Sequence, residues 1–185
     1  MSGGMQNIDN IIEILGKFKE LKRTGWVRKN IENPESVADH CFGISLLALL
    51  LAPEGLDFGR CMKMAIVHDL AEVYVGDITP YDGISEEEKA NNEAAAMARI
   101  AEEINFPDIV RWFREYEDGE TPEARFVKNI DKLESAVQAV YYQKHRKTEE
   151  GLAREFIKTA MRRSVADAND SEIQIIYQQL LDIIR

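Results

Sequence analysis

Residues 64–77 read MAIVHDLAEVYVGD, an apolar stretch interrupted by His68, Asp69 and Glu72, with Asp77 just past a glycine. Burying ionisable groups costs free energy unless each finds a partner or an ion. His68 and Glu72 are four apart and Asp69 and Glu72 three apart, so on a helix all three project towards one side. His40 stands in a second apolar run, one helical turn before Ile44, and Asp131 lies among Val127, Ile130 and Ser135 in a third. Two histidines and two aspartates thus come from three segments whose apolar faces must converge on one core. Neutral imidazole and carboxylate both bind metals, and such a set brings two negative charges to a divalent cation. Mixed nitrogen and oxygen ligation suits Mn, Co, Fe, Ni or Zn, with Mg less natural. Taken singly, each residue has a plainer reading: His68 as a satisfied core histidine, Asp131 as a partner of Arg125 or Lys132. The combination favours the ion.

The elements that must position these groups read as helices. Ile8, Ile11, Ile12, Leu15, Phe18 and Leu21 recur at helical spacing. RTGWVRKNIENP breaks the pattern and reads as a loop. Ser36 and Asp39 form a capping box after Pro34, and the helix they open runs through Val37, Cys41, Ile44, Leu47, Ala48 and Leu51 to Pro53. Another helix is expected from near Phe58 to Gly76, a residue suited to the helix end. DITPYDGI is a loop, and Ser85 with Glu88 makes a second box opening an alanine-rich helix. Its EEEKANNE run reads as a solvated face. Pro107 starts a short helix ending near EDGE. Thr121 and Pro122 suit the cap and first position of a helix carrying Phe126, Ile130, Leu133, Val137 and Tyr141. Two further helical segments flank VADANDS. With no alternating strand pattern, repeat or low-complexity linker, the expectation is an all-α fold in one domain over 1–185.

Composition narrows the function. A formal net charge of -10 repels phosphate backbones, which argues against DNA, RNA and anionic membrane surfaces as partners. The one basic run, QKHRK at 143–147, reads as solvated. The longest apolar stretch, ISLLALLLA, is shorter than the roughly 20 residues a bilayer needs. MSGGMQNIDN lacks a positive region followed by an apolar run, so no signal peptide is expected, and Ser2 to Gly4 read as a frayed end. Cys41 and Cys61 both lie in apolar helical contexts and read as buried free thiols of a cytoplasmic protein.

The ordered pattern of a capped helix with His40, then HDLAE, then Gly76-Asp77, then NIDKLE, resembles the HD-domain metal-dependent phosphohydrolases, whose motif is H…HD…D. Their 5′-deoxynucleotidase branch is the most similar. The matching stretches are RTGWVRKNIENPESVADH, AIVHDLAEVYVGDITP followed by EEK, and ARFVKNIDKLE, over roughly residues 20–142. The C-terminal residues beyond them read as packing or subunit contact. The resemblance implies that His40, His68, Asp69 and Asp131 ligate the metal, that Glu72 and Asp77 serve catalysis and substrate binding, and that Arg23 and Trp26 contact phosphate and sugar. Thr24 and Gly25 separate Arg23 from Trp26, which leaves the phosphate to Arg23 or Arg28. Trp26 is equally readable as a core aromatic, and the basic loop residues as solvated. The implied reaction is hydrolysis of deoxynucleoside 5′-monophosphates, by a homodimer. It needs an activated water, neutralised phosphoryl oxygens and a protonated leaving group. A metal, a basic clamp and a carboxylate supply these. Rival readings are hydrolysis of a triphosphate or cyclic nucleotide, and a non-catalytic interaction or nucleotide-sensing module.

Overall fold

Helix starts follow the caps that the sequence offers. The computed structural model describes residues 7–164 and 170–185, so Ser2–Gly4 and most of VADANDS lie outside the described residues. Helix α3 (Val37–Leu51) opens with both arms of the Ser36–Asp39 box in place. Helix α6 (Glu86–Glu103) has one arm, Ser85 accepting from the Glu88 N–H. Helix α8 (Pro122–His145) starts behind Thr121, whose hydroxyl accepts from Ala124 N–H, with proline in its first turn. Helix α7 (Asp108–Asp118) ends at Gly119, in the left-handed conformation that glycine adopts without steric cost. Among the described residues there is no strand; Lys22 and Ser36 form an isolated antiparallel bridge.

Two expectations are corrected. The helix foreseen from Phe58 to Gly76 is two: α4 (Phe58–Val67) and a single turn, α5 (Glu72–Val75). Between them, the N–H groups of Leu70, Glu72, Val73 and Tyr74 reach the carbonyls three residues back, at 3.0–3.3 Å, rather than four. The chain is wound more tightly there, and residues three apart eclipse. RTGWVRKNIENP is not wholly a loop, because Thr24–Arg28 forms α2. Its first N–H, on Thr24, is capped by Asp77 Oδ2 at 2.6 Å, 53 residues away, a partner that local pattern does not reveal. Helix α1 (Ile8–Glu20) buries Ile14 and Phe18 and leaves Ile8, Ile12 and Leu15 exposed, because it packs along a narrow stripe on α3 and α5.

Helix α8 is the centre. It packs on α3, α4, α7, α9 (Leu152–Arg163) and α10 (Asp170–Ile183). Ile44, Met64, Ile130, Leu133, Tyr142, Leu152 and Ile157 are buried in this main core. Each large side chain removed from water contributes roughly 1.5–3 kcal/mol. The packing has a geometric result: Asp131, midway along α8, is set between α3 and the tight turn that follows α4.

Candidate active site

Four predicted groups meet at that point. His40 is fully buried, one turn inside the capped start of α3. His68 ends α4 and Asp69 begins the tight turn, so these two leave the backbone beside each other rather than along one continuous helix. His40 Nε2 lies 3.2 Å from Asp131 Oδ1 and 3.8 Å from Asp69 Oδ2, and His68 Nε2 lies 3.2 Å from Asp69 Oδ2. Donor atoms of His40, His68 and Asp131 all fall within 4.8 Å of one another.

The other side of each ligand candidate is already occupied. His40 Nδ1 is 2.5 Å from Glu134 Oε2, and His68 Nδ1 is 3.1 Å from the Ala65 carbonyl oxygen. Both partners are acceptors, so the hydrogen belongs on Nδ1 and the Nε2 lone pair faces inward. Asp131 Oδ2 accepts from the Tyr116 hydroxyl at 3.0 Å and from Lys132, which leaves Oδ1 for the centre. Both Nε2 atoms are buried with no hydrogen bond although carboxylate oxygens are close. Lone pairs facing carboxylates repel unless a cation sits among them. The donor set therefore fits a divalent metal.

Electrostatics point the same way. Burial and Arg23 oppose charge on His40, but Glu134 and Asp131 more than offset them and raise it to about 10. Burial likewise opposes charge on His68, and Asp69 outweighs it. Burial pushes Asp69 and Asp131 up, yet His68 and Arg23 bring the first below the usual carboxylate range and Lys132 and His40 bring the second well below it. The cluster calls for positive charge, and a bound cation would supply it in place of the imidazole protons.

Around this centre the remaining predicted residues divide. Arg23, the residue before α2, is 3.1 Å from Asp69 Oδ2 and 3.9 Å from Asp77 Oδ1. Arg28 faces outward, on Asp82 and over the Tyr81 ring. Asp77 is tied to Thr24 N–H. Glu72 is buried, with Oε2 lacking a hydrogen bond. Burial raises its carboxyl well above the usual range, the charges of Asp69 and Asp77 raise it further, and Arg23 and His68 oppose them. Trp26 lies in the core, stacked on Phe156 at 4.3 Å and edge-on to Tyr142, with its indole N–H donating to Glu35 at 2.6 Å. Burial lifts Glu35 to about 7, helped by Glu134.

Several residues of this neighbourhood escaped the sequence reading. Glu134 was in plain view in NIDKLE, three after Asp131. The EEEKANNE run is solvated only in part: Glu86, Glu87 and Glu88 are exposed, but Glu93 is buried and Lys89 half-buried, 3.6 Å apart. Burial lowers the Lys89 ammonium, and the charges of Glu93, Glu72, Asp69 and Asp77 raise it above its ordinary value. Its signal was the four-residue spacing of Lys89 and Glu93. Neither cysteine is in a disulfide, and burial pushes the Cys61 thiol up to about 12.

An all-helical fold with two buried histidines and two aspartates gathered from α3, the turn after α4 and α8 is that of the HD domain family, whose model matches residues 15–173; the chain belongs to it. Among its relatives are the 5′-deoxynucleotidase HDDC2 of Danio rerio, 42% identical over 142 residues covering 75% of this chain and 71% of that one, and the 5′-deoxynucleotidase hdd1 of Schizosaccharomyces pombe, 41% identical over 140 residues covering 72% and 71%. Among solved structures, PH0347 from Pyrococcus horikoshii OT3 superposes with a TM-score of 0.75 at 30% identity, over 95% of this chain and 99% of that one.

Proposed function

We propose that this chain is a metal-dependent 5′-deoxynucleotidase, releasing phosphate from deoxynucleoside 5′-monophosphates. The observation that carries the reading is the pair of buried, unbonded Nε2 atoms of His40 and His68 facing Asp69 and Asp131, with Arg23 on the same Asp69 oxygen. The names of the relatives support the substrate class. His40, His68, Asp69 and Asp131 would hold a divalent cation, which when bound would supply charge neutralisation at the phosphoryl oxygens and a more acidic water.

The chain's own groups do the rest. Arg23 clamps the phosphate, already aimed by Asp69 and Asp77. Lys89, free of any partner closer than Glu93 at 3.6 Å among the described ion pairs, adds the second basic contact. Glu72, whose carboxyl burial raises well above the usual range, passes a proton to the leaving 5′-oxygen. Asp77 orients Arg23 and the start of α2. Trp26, packed in the core, reaches the site only through Glu35, which accepts its indole N–H and lies beside His40 and Glu134.

The active form in this reading is a cytoplasmic homodimer, with small-molecule nucleotides and no nucleic acid as partners. No helix among the described residues is long and apolar enough to cross a membrane. Phe42, Leu46, Leu49 and Leu50 are exposed on the outer face of α3, an apolar stripe that a second copy would cover. The test is phosphate release from 5′-mono-, di- and triphosphates and cyclic nucleotides across Mn, Co, Fe, Ni, Zn and Mg. Release from deoxynucleoside monophosphates supports the proposal. Release from triphosphates or cyclic nucleotides alone, or from none, overturns it.

A further inference from the structure

Gly43 sits inside α3, three residues after His40, with ordinary helical backbone; it is not among the glycines at positive φ. Glycine there destabilises a helix relative to alanine, so the position needs another reason. The reason is space. A Cβ on Gly43 would lie 2.7 Å from Glu134 Oε1 and 2.9 Å from its Cγ. Among the described glycines, no other meets an atom closer than 3.0 Å. The carboxylate that fills this space is buried, and its Oε2 is 2.5 Å from His40 Nδ1. It comes from α8, one turn beyond Asp131, so one helix delivers both a candidate ligand and the group behind the facing histidine.

We infer that Glu134 is the positioning residue of His40, holding its ring so that Nε2 faces the cation, and that Gly43 is glycine to admit Glu134. This rests on the ligand set proposed above. A carboxylate that accepts the far N–H of a histidine fixes its tautomer and orientation and strengthens it as a donor. An alanine at 43 would push Glu134 off the ring without touching any candidate ligand.

The experiment is cobalt(II) affinity by chelator competition, with thermal unfolding of each metal-free protein as the fold control. Glu134→Ala and Gly43→Ala should each weaken binding roughly 10–100-fold. Glu134→Gln, which keeps the shape and an acceptor oxygen, should lose less than Glu134→Ala. The double variant should bind no more weakly than Glu134→Ala alone, because once the carboxylate is gone the added methyl has nothing to displace. Affinity within twofold of wild type in folded Glu134→Ala or Gly43→Ala overturns the inference, as does a loss in Glu134→Gln equal to that in Glu134→Ala, or a further loss in the double variant. A folded His40→Ala with unchanged affinity would refute the ligand set itself, a separate result from normal His40 dependence with indifferent Glu134.

Discussion

Two clusters of charge lie on this bundle, and they are built differently. At the junction of α4, α7 and α8, Arg60 bonds Glu115 at 2.5 Å and approaches Glu123 at 3.6 Å. Glu115 also accepts from the Thr121 hydroxyl at 2.9 Å, and Glu123 from Asp57 N–H at 3.1 Å. Each named charge has a partner, and Arg60 is open to solvent. Around His40, by contrast, two imidazole nitrogens and a Glu72 oxygen are buried with no hydrogen bond. A saturated cluster has finished its interactions within the chain. An unsaturated one holds its groups in readiness for something that the chain does not contain. The second kind is expensive to maintain, and that expense marks a site.

The contrast predicts where substitutions act. Asp69→Ala removes a candidate ligand and the partner of Arg23, so metal content should be lost and turnover should fall by roughly 10³-fold or more, several kcal/mol of transition-state stabilisation. Metal analysis and kcat of the folded variant check this, and retained metal breaks the comparison at its root. Glu72→Gln keeps shape but cannot exchange a proton. Its kcat should fall roughly 10²–10⁴-fold with metal content unchanged. Glu72 is raised above the ordinary carboxylate range, so the wild-type rate should decline as pH rises through that raised value. The same limb should be missing from the pH profile of the variant.

Smaller effects concern stability. Burial raises Glu93 to about 7, against Lys89. Such a group favours folding fully at pH below its unfolded value near 4.5, and that contribution is lost as pH rises towards about 7. Glu93→Gln should flatten this decline and gain up to ~3 kcal/mol on the wild type above pH 7. Urea midpoints from pH 4 to 8 measure it; parallel curves would place Glu93 among the saturated groups. Arg60→Ala, in the saturated cluster, should cost only about 1 kcal/mol of stability and leave kcat unchanged. A large drop in activity there would erase the distinction.

The sequence carried the centre of the site better than its surroundings. His40, His68, Asp69 and Asp131 stood out because charges inside apolar runs contradict their context, and the fold brings those four together. All-helical structure was legible from spacing and caps. The break at His68–Ala71 was not, since apolar residues continue through it and only the span of the hydrogen bonds changes, from four residues to three. Helix α2 was invisible because its cap is remote. Lys89 and Glu93 were hidden in a charged run whose other members are exposed, and Glu134 passed as one more acid on α8 because nothing local shows which side of a 24-residue helix faces His40.

The Thr24–Asp77 cap joins residues 53 apart, Arg23 meets Asp69 across 46, and His40 meets Glu134 across 94. Closing loops of that size costs chain entropy before any contact repays it. On that cost these links should form after α3, α4 and α8 have docked, and should part only when the bundle opens. The Thr24 amide, held by a remote carboxylate instead of its own helix, becomes a clock for that opening. Its hydrogen exchange should run at the rate of the slow global class and not with the fraying turns beside it.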